Sequence, residues 1–478
     1  MTIYHTRIQH GVGQGSFHSA SVQFSKSTNN HRFDYIYDCG ALANWRQTPE
    51  LTHSVRRLWL EHRPGSAKPV VDLLILSHFD WDHMNGASDL VERYEVDRIV
   101  LPYLGPVELA VILASQAASL DERAVAQLHS IAAGGSTLWG RPITMVQKGS
   151  REERPDTPEN PDSPFGERPV SGSELPGRVV ISAHGAHSIG GALERIIDDD
   201  QDLLVKKTSR SINSEWKIRF WNRGLDNRLG DLIQEELKSI GFPVAALSNR
   251  ENGAKDIVAW LNVRRRKSRP KTGRGKKKAV ALSSNRDLAV SAYRSAIDKY
   301  MPSWLNETEG KRLSNFLSLG MYSGPRFQFY KQTYQYLRLH DDHSYETWSY
   351  INNTLPVKYL PGWIGTGDAP LGEPTVWNDF QLHYKHELSR TQTILVPHHG
   401  AAPQSGPRFY NSDLHHKPNL NAVISYGTRN SYGHPHPSVL SQIVRANGKL
   451  IVVTEKTRFG FQEEYRFRRL HAGDRTSF

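Results

Sequence analysis

A layered α/β fold is predicted by three observations. Short, wholly apolar runs such as residues 73–76 (LLIL) suit strands covered on both faces. Helix-forming stretches alternate with such runs over residues 87–133, the pattern of stacked sheet and helix layers. Several apolar runs also end abruptly in His, Asp and Gly, at the place where the loops of α/β sheets build sites.

The elements follow in order. Residues 21–24 and 33–37 predict strands, the second ending in Asp38-Cys39-Gly40. After the run at 73–76, a helix is expected at 87–94, a strand at 98–101 and mostly helix over 107–133. From about residue 150 the composition shifts: REERPDTPENPDSPFGERP is rich in proline and charge and reads as a loop. Strands at 178–182 and 217–221, an amphipathic helix at 231–240 and another helix at 287–301 follow. Short strands return at 317–322, 362–365, 393–396 and 422–425, and a pair at 450–454 and 459–467 closes the chain. No repeat of fixed period is present. The simplest division is one α/β domain in two halves, 1–149 and 313–478, split by an insertion, 150–312.

Composition narrows the class. The 478 residues are 38% apolar, enough for a buried core, which excludes wholesale disorder. No apolar run approaches the roughly 18–20 residues needed to span a bilayer. The first residues lack the basic-then-apolar pattern of a signal peptide, and the single cysteine, Cys39, has no internal disulfide partner. A cytoplasmic protein with no membrane partner is therefore expected. The net charge of +11 is local. Ten basic residues and no acid lie in Arg264, Arg265, Arg266, Lys267, Arg269, Lys271, Arg274, Lys276, Lys277 and Lys278. Without them Lys plus Arg falls from 60 to 50 against 49 acids, a net of +1. Such a tract is an electrostatic footprint for a phosphate polymer, or a solvated loop.

The chemistry concentrates in strand-end turns. His78-Phe79-Asp80-Trp81-Asp82-His83 places four metal-ligand side chains within six residues, directly after the buried run. Imidazole and carboxylate suit zinc, iron or manganese. Such a loop can direct His78 and Asp80 to one ion, and Asp82 and His83 to a second. Gly365-Thr366-Gly367-Asp368 adds a carboxylate able to bridge two ions. Pro397-His398-His399-Gly400 adds a histidine ligand, assigned to His398, and Tyr432-Gly433-His434-Pro435-His436-Pro437 adds two more histidines. Asp38 is a candidate to orient a ligand histidine, or a plain turn residue. Cys39 reads as a small buried apolar residue, and Trp216, Trp221, Trp260 and Trp304 as core.

These residues together resemble the metallo-β-lactamase fold superfamily, and most closely its ComEC-type hydrolase branch, without the membrane domain. The likeness rests on VGQG (12–15), DCG (38–40), HFDWDHMNG (78–86), the Asn315–Ser318–Leu319 strand entry, GTGDA (365–369), VPHHG (396–400) and YGHPHP (432–437). It covers roughly 8–135 and 313–455. It implies an αββα sandwich with two divalent ions, zinc or manganese, at one edge. Asp80 stands where the wider superfamily has histidine, Asn315 lies near an expected histidine, and Ser16 replaces an acid. The added carboxylate shifts preference towards harder ions.

The function expected from all this is a metal-dependent phosphodiesterase or nuclease working through a metal-activated hydroxide. Its ligands would be His78, Asp80, Asp82, His83, Asp368 and His398, with Asp82 and His434 catalytic. Asp38, Asn315, His399 and His436 would be supporting residues or further ligands, and the basic tract would hold nucleic acid or bind a protein partner. The rival readings are hydrolysis of a small phosphoester, such as a cyclic nucleotide, and a non-catalytic metal-containing scaffold.

Overall fold

Residues 2–24, 32–43, 46–62, 66–149, 179–182, 195–206, 214–266, 282–300, 317–326, 330–340, 345–350, 361–402, 405 and 420–469 are described by a computed structural model. They form a mixed α/β protein with two mixed sheets. In the first sheet, Ile196–Asp198, Arg141–Gln147, Glu95–Pro102, Val70–Ile75 and Arg32–Ala43 lie side by side and parallel. The sheet continues antiparallel through Gln14–Gln23, Thr2–Gln9, Phe461–Arg469, Tyr330–His340 and Tyr345–Tyr350. In the second, Lys449–Val453, Asn421–Ser425, Thr391–Leu395 and Gly362–Gly365 are parallel. Leu319–Pro325, Ser214–Asn222, Asp202–Lys206 and Val179–Ser182 then complete it antiparallel.

Strand Val70–Ile75 is buried at every position, as the apolar run that ends it requires, and its one acid, Asp72, accepts from Asp34 N at 2.7 Å. One core cluster draws on both sheets: Val22, Tyr35, Leu73 and Ile75 from the first join Trp216, Phe220, Met321 and Trp363 from the second. A second cluster lies under the helices Pro374–His383 and Pro437–Arg445, where Trp377, Phe380 and Ile443 join Trp221, Ile364 and Ile424. Helix Pro374–His383 starts where its sequence says it should. Proline occupies its first turn, and the Glu373 carboxylate accepts from Thr375 N and Val376 N.

The core also carries charge. Arg7, on strand Thr2–Gln9, donates to Glu463 at 2.5 Å, to Pro361 O at 2.8 Å and to Thr393 Oγ1 at 2.8 Å. Thr393 belongs to the second sheet, so one guanidinium ties the two sheets together. A buried, paired charge of this kind costs more to break than it contributes by forming, because a lone partner is left without water.

The compact units divide the chain differently from 1–149, 150–312 and 313–478. One comprises Met1–Pro102, Arg141–Arg223 and Ser318–Phe478; the other comprises Tyr103–Gly140 and Gly224–Leu317. The cause is hydrogen bonding. Strands Asp202–Lys206 and Ser214–Asn222 extend the second sheet and belong with it. The second unit is helical, with Pro106–Gln116, Glu122–Ala132, Asn227–Ser239, Gly253–Leu261 and Asn285–Tyr300. The mostly helical stretch expected over 107–133 holds two helices, because Asp121 caps a fresh start by accepting from Ala124 N at 2.7 Å.

Arg264–Arg266 pairs with Leu282–Ser284 as a two-stranded ribbon. Lys267, Arg269, Lys271, Arg274, Lys276, Lys277 and Lys278 lie outside the described residues, as do Asn315, Trp304 and the proline-rich stretch. Trp216 and Trp221 are buried core, as expected, and Trp260 packs edge-on to Phe242. Among the described residues, no helix is long and apolar enough to cross a membrane.

Candidate metal centre

The parallel strands of both sheets deliver their C-terminal turns to one edge. Strand Val70–Ile75 leads into Ser77-His78, and Asp80 precedes a short helix, Trp81–Met84. Gly362–Gly365 leads to Asp368, Thr391–Leu395 to His398 and His399, and Asn421–Ser425 to the turn holding His434. Two glycines make the approach possible. Gly367 has φ +52, and a Cβ there would stand 2.4 Å from Ser318 Oγ and 2.9 Å from Ser77 Cβ. A Cβ on Gly15 would stand 2.6 Å from Asp82 O.

His78, His83 and Asp368 offer ligand atoms within 4.8 Å of one another, and so do Asp82, His83 and His399. His78 Nε2 lies 3.6 Å from Asp368 Oδ2 and 3.8 Å from Asp80 Oδ2. His83 Nε2 lies 3.2 Å from Asp368 Oδ1, His398 Nε2 3.6 Å from Asp368 Oδ2, and His399 Nε2 3.5 Å from Asp82 Oδ2.

Proton bookkeeping decides what these atoms are. His399 Nδ1 faces Ser425 O at 2.8 Å, and a carbonyl only accepts, so Nδ1 carries the proton. His83 Nδ1 donates to the Asp38 carboxylate at 2.8 Å. Ser77 Oγ donates to Asp38 at 2.9 Å and therefore accepts from His78 Nδ1 at 2.8 Å. All three rings turn N–H outward and a lone pair inward. His78 Nε2, His83 Nε2, His399 Nε2 and Asp368 Oδ1 are buried without a hydrogen bond. The 3.2 Å pair of His83 and Asp368 is close but misaligned for one. A buried centre made of lone pairs and carboxylate oxygens fits cations. Its nitrogen and oxygen donors suit zinc or manganese.

Electrostatics agree with this. Burial opposes charge on Asp368, but His398, His83 and His78 hold its carboxyl well below the usual range. Burial likewise opposes Asp82, and the His399 and His83 imidazoles outweigh it, holding Asp82 down to about 2. Burial and the neighbouring His83 lower His78 to about 4. For His83 the order of forces reverses: burial lowers it, yet Asp368 and Asp38 together raise it well above its ordinary value. Without a metal, a proton is the cation this centre attracts.

The expected residues separate clearly. His78, Asp80, Asp82, His83, Asp368 and His398 come together, and His399, expected as a supporting residue, stands among them at Asp82. Consecutive positive φ values, 46° at His398 and 54° at His399, let two adjacent histidines face one site. Asp38, itself at φ +58, orients His83 directly and His78 through Ser77. His434 stands beside the cluster, its ring 5.3 Å from that of His398. Its backbone is held by Asn430, which donates to His434 O at 2.7 Å and accepts from His434 N at 3.1 Å. His436 does not join. It is exposed and caps helix Pro437–Arg445, accepting from Ser438 N at 3.2 Å. Cys39 is a buried thiol, and burial followed by the Asp38 charge pushes its pKa well above the ordinary value, the opposite of the shift that activates a thiolate. Ser318, named in the resemblance as part of a strand entry, accepts through Oγ from Asp368 N at 2.9 Å, and Ser77 is the site residue the sequence does not announce. A lone serine before a motif carries no sequence signal that it relays an orienting charge.

Compared with protein-family models and with curated proteins, the chain matches no family model and no curated protein.

Proposed function

We propose that this chain is a metal-dependent phosphodiesterase built on a metallo-β-lactamase-like αββα sandwich, with nucleic acid as its substrate. The observation that carries the proposal is the inward convergence of the Nε2 lone pairs of His78, His83 and His399, each fixed by an outward N–H. His78, Asp80 and Asp368 would hold one divalent ion, and Asp82, His83 and His399 a second, with His398 Nε2 3.6 Å from Asp368 Oδ2 as a further donor. Two such ions would supply a Lewis acid for the phosphoryl oxygens and a means of activating water.

The protein's own groups do the rest. Asp82, held ionised, would accept a hydrogen bond from the attacking water and orient it, the water's proton passing to solvent. Asp38 fixes the ring orientation of His83, and through Ser77 that of His78, so the ligands need not reorganise. His434, set by Asn430 beside His398, faces the leaving oxygen and donates a proton to it. The resemblance of the turn motifs to the ComEC-type branch supports the same fold and chemistry. The test is a screen of purified protein against single-stranded, duplex and small phosphodiester substrates with zinc, manganese and magnesium. Cleavage that requires an added divalent ion supports the proposal, and full activity in chelator contradicts it.

A further inference from the structure

The four parallel strands of the second sheet all end at the metal edge, and the turn after the last of them, Lys449–Val453, has no part in the metal cluster. That turn carries Glu455, Lys456, Thr457, Arg458 and Phe459. It is bound to its neighbours. Glu455 accepts from Thr428 N at 3.0 Å and from the Thr428 hydroxyl, fastening it to the loop that bears Tyr432 and His434. Gly427 N, in that same loop, donates to Gln14 Oε1 at 3.3 Å, and Ser425 Oγ to Gly15 O at 3.1 Å.

Two large aromatic side chains are exposed on these joined turns. Phe459 is 47% exposed and Tyr432 41%, against a core that buries most of its aromatic residues. Cations flank the first: Arg57 stands with its guanidinium carbon 5.7 Å from the Phe459 ring centroid, and Arg458 with its own at 5.5 Å. Arg57 follows helix Pro49–Arg56, whose cap Thr48 donates to Val12 O at 2.9 Å on the same edge. The second aromatic leads inward. Tyr432 lies near-parallel to His434, 6.1 Å between centroids and 16° between planes, and His434 stands edge-on to His398.

From this arrangement we infer that the turn residues Tyr432 and Phe459, with Arg57 and Arg458, form a binding track for single-stranded nucleic acid leading to the metal centre. Exposed rings interleaved with guanidinium groups match the two repeating features of a single strand, unstacked bases and phosphates. A duplex hides its base faces and would gain only from the arginines. The inference rests on the phosphodiesterase reading and names its substrate class.

The experiment is fluorescence anisotropy of the full chain with a labelled 20-nucleotide single strand and with its duplex, in chelator so that no strand is cut, over a range of salt. Phe459→Ala and Tyr432→Ala are each expected to weaken single-strand binding on the order of tenfold, with the salt slope kept. Phe459→Leu, which keeps apolar bulk but loses the ring, should weaken it similarly. Arg57→Ala with Arg458→Ala should weaken binding and flatten the slope of log K against log salt by about 1.4. Wild-type affinity for the strand in the aromatic variants, or equal wild-type affinity for strand and duplex, would overturn the track. The two readings fail separately. A protein that binds no divalent ion, yet loses strand affinity in Phe459→Ala, keeps the track and loses the phosphodiesterase.

Discussion

The Asp38 carboxylate accepts from His83 Nδ1 at 2.8 Å and, with its other hydrogen bonds, from Ser77 N at 2.7 Å and Ser77 Oγ at 2.9 Å. One acid thus sets the rings of two candidate ligands from outside the site. Asp38→Asn keeps the left-handed backbone that Asn tolerates but removes the charge and one acceptor. Metal affinity is expected to fall about 10- to 100-fold, measured by competition with a chromophoric chelator. Unchanged affinity would show that His78 and His83 need no such orientation.

His434 should behave as an acid and not as a ligand. His434→Ala is expected to keep its metal content and to lose about 10²–10⁴-fold in turnover on a nucleic acid substrate. With p-nitrophenolate as leaving group, which needs little protonation, the loss should be much smaller. Loss of an ion in this variant would make His434 a ligand instead.

The buried charges behind the second sheet set a pH limit on stability. Glu387 lies 2.6 Å from Lys217 Nζ and 3.4 Å from Arg219. Burial opposes its charge, but Lys217 and Arg219 hold its carboxyl well below the usual range. A depressed carboxyl stabilises fully above the unfolded value of about 4.3, and that contribution is lost as pH falls towards the folded value. Glu387→Gln is expected to cost about 3–5 kcal/mol near neutrality, leaving two buried cations to share one carboxylate, Asp202, at 3.6 Å from Lys217 and 3.9 Å from Arg219. In urea unfolding the gap between the two proteins should narrow below pH 4.3. A gap that stays constant with pH would remove the ionic explanation.

Neutralising Arg264, Arg265, Arg266, Lys267, Lys276, Lys277 and Lys278 removes seven positive charges. If the tract holds a phosphate polymer, affinity should fall and its dependence on salt should flatten. Equal binding and an equal slope would mark the tract as a solvated loop.

What could be read from sequence follows from how local each signal is. His78, Asp80, Asp82 and His83 were legible because one turn holds all four, and Asp368 because two glycines precede it after an apolar strand. The choice between His398 and His399 was not: adjacent residues differ only through two positive φ values that no residue type announces. Strand Thr2–Gln9 is hidden in the sequence because three of its four inward positions are His5, Arg7 and Gln9, polar groups that mask the period-two pattern begun by Ile3. The division into compact units is not a local signal either. Ser214–Asn222 is recognisable as a strand, but its pairing with Leu319–Pro325 is set by hydrogen bonds across some hundred residues of chain. Local pattern identifies elements and leaves their partners to packing.

The most direct test of the central claim is the metal content of purified protein by mass spectrometry, wild type beside the Asp82→Ala, His83→Ala double variant. The expected result is close to two divalent ions per chain in the wild type and about one fewer in the variant, with most hydrolysis lost. The same metal content in both proteins would contradict the site.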